Sequence, residues 1–171
     1  MFTTRLQTVY SPQTPLGELR TAELLVVSSL RLWVLSHGGH ARDQPDWREG
    51  FRCARIGSAA AMGFDTVCHI VAAAALRNLD IRPLYCAHLG MDEGRFLCLL
   101  ALLQCDRACD AESILSDWCP PAAVRLAVMP AHAFATGLSA CRLRLASPHP
   151  EPATPHSLTF TAPALEGPRI H

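Results

Sequence analysis

Apolar residues recur at helical spacing along most of this chain, and the breaks between runs fall at proline and glycine. The first run occupies residues 14–37. Leu19, Ala22, Val26, Leu30 and Trp33 form one stripe, and Leu25, Leu32 and Leu35 widen it, so this helix is contacted on more than one side. Thr14 suits an N-cap with Pro15 at the first helical position, and Gly38-Gly39 supplies the stop. A second helix starts at Pro45, capped by Asp43 or Gln44. Trp47, Phe51 and Ala54 face inward, and Arg48, Arg52 and Arg55 repeat at the same spacing on the neighbouring side. Gly57 ends it and Ser58 caps a third helix reaching residue 76, with Phe64, Val67, Val71 and Ala74 inward. Its alanines at 72–75 permit close approach of another helix.

Residues 78–85 read as a connector, extended before Pro83 because proline biases the preceding residue away from helical angles. The run 96–103 is apolar on every side, which marks a helix with neighbours all round it. Asp92 and Glu93 stand in its first turn, where carboxylates favour the positive end of the helix dipole. This central helix is expected over 91–106. Asp110 then caps a short helix carrying Ile114, Leu115 and Trp118. Pro121 opens another, which Pro130 divides, leaving a last piece over 131–141. Helices 3 and 4 are expected to be antiparallel neighbours. From Ser147 onward six of the thirteen prolines crowd among few apolar residues, the composition of a disordered tail. The expected architecture is all-α: an irregular, orthogonal bundle of five to seven helices around the apolar helix at 91–106. It has an N-terminal arm (1–13), one helical domain (14–146) and a disordered proline-rich tail (147–171).

Composition adds limits. Half of the 171 residues are hydrophobic and 18% are charged, below the roughly 25% of an average globular domain, so part of the surface is expected to be covered by a partner or a second subunit. The formal charge is zero, with arginine as the sole strong base, and no basic face for nucleic acid is expected. Residues 1–15 lack a charged and then apolar leader. The best candidate for a membrane span, 19–35, contains Arg31, which at the bilayer centre costs about 2.5–3.5 kcal/mol. A cytoplasmic protein without a membrane span is the expectation, with its eight cysteines as thiols.

The ligand candidate is the Cys86-x-His88 pair. A thiolate and an imidazole in a loop before a helix are ligands for zinc or iron. Cys68, His69 and Cys98 are its candidate companions, placed at one height if helices 3 and 4 pack together. Cys105 and Cys109 lie about 20 Å away along an intact helix and complete such a site only across a dimer. Against this, no Cys-x-x-Cys occurs, and a buried cysteine is ordinarily a small core residue. Arg107 lies between Cys105 and Cys109, where a neighbouring guanidinium lowers a thiol pKa. His37-Gly-Gly-His40 is simplest as a helix stop. Asp65 and His69, at i and i+4, are simplest as a surface ion pair. Gly137-Leu-Ser-Ala-Cys141 fails the final glycine of a nucleophile elbow, and no zinc-protease, P-loop or dinucleotide motif is present. Nothing therefore defines a catalytic residue. The sequence favours a small non-enzymatic interaction or regulatory protein, a homodimer or a subunit of a complex, with Arg48, Arg52 and Arg55 as partner-binding residues. The alternative is a metal-binding or thiol-based sensor using Cys86 and His88.

Overall fold

A computed structural model describes residue 10, residue 11, residues 13–38 and residues 45–146. Within these lie a 3-10 turn, Leu16–Glu18, and six α-helices: α1 (Thr21–His37), α2 (Trp47–Cys53), α3 (Ser58–Ala74), α4 (Met91–Gln104), α5 (Ala108–Ser116) and α6 (Pro121–Ala140). The bundle is all-α, and no strand occurs among the described residues. The expected tail from Ser147 lies outside them, as do Asp43, Gln44 and most of the expected arm.

The apolar run at 96–103 folds as its all-round character requires. Eleven of the fourteen residues of α4 are buried, so α4 is the axis about which the other elements pack. It contacts α1, α5 and α6. The most extensive helix pairing, however, joins α3 to α6. These two run antiparallel, since Gly63 meets the Pro130–Phe134 turn while Ala60 meets Gly137. A Cβ on Gly63 would stand 2.6 Å from the Pro130 carbonyl oxygen, and one on Gly137 would stand 2.2 Å from the Ala60 methyl. Phe51, Phe64 and Phe134 close the seam between α2, α3 and α6, with ring centroids 5.1–5.3 Å apart.

Several expectations change. α3 takes α6, not α4, as its main partner, because glycine and alanine at 60, 63 and 137 allow the closer approach. Pro130 does not divide the last helix: α6 runs through it. The Leu126 carbonyl, which loses its amide partner there, belongs to an exposed residue, and Ala127, Ala131 and Phe134 hold both halves in the core. The first helix starts at Thr21, after the 3-10 turn, with the Glu23 carboxylate accepting from the Arg20 amide. Asp46 caps α2, accepting from the Arg48 amide at 3.0 Å. α5 begins at Ala108, so Asp110 falls in its first turn and pairs with Arg107. The end of the arm is tied down: Tyr10 is buried, and its hydroxyl donates to Glu23 at 2.7 Å.

Candidate functional site

The loop carrying Cys86 and His88 is held by its backbone. Residues 75–90 cross from α3 to α4 without regular structure, and such a segment leaves many amides and carbonyls to satisfy. Arg31, buried on α1, satisfies three of the carbonyls. Its guanidinium donates to the oxygens of Pro83 (3.3 Å), Cys86 (2.6 Å) and His88 (2.8 Å). Its remaining two N–H groups donate to Glu93, at 2.7 and 2.8 Å. All five donors of the fork are thereby used. Glu93 also accepts from the amides of Arg82 (3.1 Å) and Gly90 (2.7 Å), which fills its four lone-pair positions. An antiparallel bridge between Pro15 and His88 seals the other side.

Asp92 does the same for the first half of the connector. It receives a bidentate pair from Arg77 at 2.7 Å, the Asp80 amide at 2.7 Å and the Trp118 indole N–H at 2.9 Å. Burial alone would raise its pKa. The hydrogen bonds from Arg77, Asp80 and Trp118 outweigh burial and hold this carboxyl below the ordinary aspartate value. The acidic pair at the head of α4 is therefore more than a dipole match: both carboxylates are fully buried and each pins part of the connector. No side-chain polar atom buried among the described residues lacks a hydrogen-bond partner.

The thiols are spread out. Cys68, Cys98 and Cys119 are buried, Cys86 and Cys141 half-buried, Cys53, Cys105 and Cys109 exposed, and none forms a disulfide. Burial first, and then the Asp65 charge, pushes the Cys68 thiol well above its usual pKa; burial raises Cys119. No group of three or more His, Cys, Asp or Glu side chains among the described residues is arranged to hold a metal ion. Cys86, His88, Cys68, His69 and Cys98 are thus not brought together as such a group.

Asp65 does gather neighbours. It accepts from the Trp33 indole at 2.7 Å and lies 3.6 Å from the His69 ring and 3.5 Å from Arg48. His37 stacks on Trp33 with centroids 4.1 Å apart and stands edge-on to His69 at 4.9 Å. His37, Arg48, Asp65 and His69 border an open cleft of about 310 Å³. Beside it, Arg48 and Arg52 rim a groove of about 300 Å³ over Phe51, Ile56 and Met62, which Arg55 does not line. Both arginines already have anions: Arg48 pairs with Asp46 and Asp65, and Arg52 with Asp46 and Glu49.

Periodicity did not single out the outward surface of α3 and α6. Met62, Leu126 and Met129 are 68%, 66% and 72% exposed. Exposed Ala133 lies 3.4 Å from where Gly63 would carry a Cβ, so the outer side of α6 runs directly into that of α3. In the twenty residues of α6 the sole charged side chain is Arg125; in α3 it is Asp65, with His69 beside it. That scarcity of charge was the available signal.

No protein-family model, curated protein or solved structure matches this chain. No described helix is long and apolar enough to cross a membrane.

Proposed function

We propose that this protein is a helical, non-enzymatic interaction module that works by protein contact through the outward face of α3 and α6. The observation that carries this reading is the nearly uncharged surface presenting Met62, Leu126 and Met129 to solvent. A helix face left to water ordinarily carries charge, and a contiguous exposed apolar patch marks a binding surface. The buried polar groups support it from the other side: the lone pairs of Asp92 and Glu93 are spent on the connector, Arg31 and Trp118, leaving them no capacity for a substrate. Arg48 and Arg52 flank the groove beside Met62, where Asp46, Asp65 and Glu49 pair with them.

A photo-crosslinking residue placed at Leu126 in the producing cell tests the reading, with the same residue at exposed Glu112 on α5 as control. Protein adducts are expected from position 126 well above position 112. Equal or absent adducts at 126 would exclude this face as a protein contact.

A further inference from the structure

Resting on that reading, we infer that the occupant of the α3–α6 face is a second copy of this chain, in a two-fold symmetric pair. Three observations lead there. The first is spacing. On α3 the outer positions Ala59, Met62, Thr66, Ile70 and Ala73 follow one another at steps of three and four. On α6, Ala122, Leu126, Met129, Ala133, Thr136 and Ala140 do the same. Ile70 is half-buried and every other member of these rows is exposed. Steps of three and four are the seam that one helix offers another in side-by-side packing, and here both seams lie on the side turned away from the core. The larger side chains Met62, Ile70, Leu126 and Met129 share these rows with alanine and threonine, the relief that ridges-into-grooves packing needs.

The second is area. At 1.5 Å per residue the two helices are about 25 and 30 Å long, and packed about 9 Å apart they present a strip about 20 Å wide. That is on the order of 500–600 Å² per copy, so two copies bury about 1,000–1,200 Å², the lower bound of a specific interface. A single foreign helix covers about half that width. A surface of the same width and length is the two-helix face of another copy.

The third is charge. The chain is neutral overall and the rows carry no charge, so two copies meet without like-charge cost. At the α3 margin Asp65 is paired with Arg48, and the charge at the α6 margin is Arg125. An axis parallel to the helices lays each α3 over the other copy's α6 and keeps the two Arg125 side chains at opposite edges.

Sedimentation equilibrium of the full chain at about 10–50 μM reads the outcome. A mass of twice 18.6 kDa is expected, falling to 18.6 kDa in Leu126→Glu/Met129→Glu and, independently, in Met62→Glu, each with unchanged helical circular dichroism. Having one substitution set on each helix keeps the test readable if one variant fails to fold. A parent of 18.6 kDa throughout that range overturns the inference, as does a dimer that both folded variants preserve. Photo-adducts at Leu126 of a different mass, from a chain that sediments as a monomer, would reject the second copy while leaving the face as a protein contact.

Discussion

Arg31 is a buried charge amid the apolar residues of α1, and its position follows from what the connector needs. A guanidinium offers five donors in a fixed plane, and no other side chain satisfies three backbone carbonyls and a carboxylate from one point. Arg31→Met should therefore destabilise the fold by about 3–5 kcal/mol in urea denaturation, because it leaves the buried Glu93 carboxylate without its cation and removes the donor to three connector carbonyls. Asp92 gives a pH dependence of defined sign. Its folded pKa is depressed, so its contribution is complete above the unfolded value of about 3.9 and disappears as pH falls through the lower folded value. The stability gap between the parent and Asp92→Asn should accordingly be largest near neutral pH and close in strong acid, as read by denaturant titrations at several pH values. At this scale the sequence was only half legible. Arg31 and Glu93 each stood out as charges beside apolar runs, but the bond joins residues 62 apart, a separation that no local pattern encodes.

Elements were more readable where side-chain periodicity decides them, and less so where backbone geometry does. The apolar rows placed all six helices. The helix ends were obscured because three of them close without glycine. Arg55, Asp106 and Arg142 take left-handed angles (φ 58°, 57° and 60°) after α2, α4 and α6. Each is followed by an amide bonded back across the last turn: Ile56 to Phe51, Arg107 to Leu102 and Leu143 to Leu138. A side chain in that conformation costs about 1 kcal/mol relative to glycine. Arg142→Gly should raise the unfolding free energy by about that amount, measured by chemical denaturation. The opposite change is expected in the α3–α6 seam. Gly137→Ala gains about 1 kcal/mol of intrinsic helix propensity but drives a methyl into Ala60, an overlap that costs about 1–3 kcal/mol, so thermal stability should fall.

Across the molecule, the candidate site was the part least legible. The residues that attracted attention by their chemistry, Cys86 and His88, hold their loop in place through main-chain atoms, while the surface proposed for contact consists of alanine, threonine, isoleucine, methionine and leucine. Chemistry-bearing residue types are conspicuous in a sequence whether or not they converge, whereas an outward apolar row looks like any buried row until the core is known to lie on the other side. The connector also makes a prediction at this scale. The amides of Asp80, Arg82 and Gly90 end on buried carboxylates, so they should exchange with deuterium as slowly as helical amides despite lying in irregular chain. In Arg31→Met, Arg82 and Gly90 should lose that protection before Asp80, whose acceptor is Asp92.

Glu23 has a further consequence. One of its oxygens accepts both the Tyr10 hydroxyl at 2.7 Å and the Ala146 amide at 3.2 Å. The two limits of the described bundle therefore meet at a single atom, like the ends of a belt at its buckle. A linker joined directly at residue 10 and another joined at residue 146 would therefore start from the same pole of the bundle.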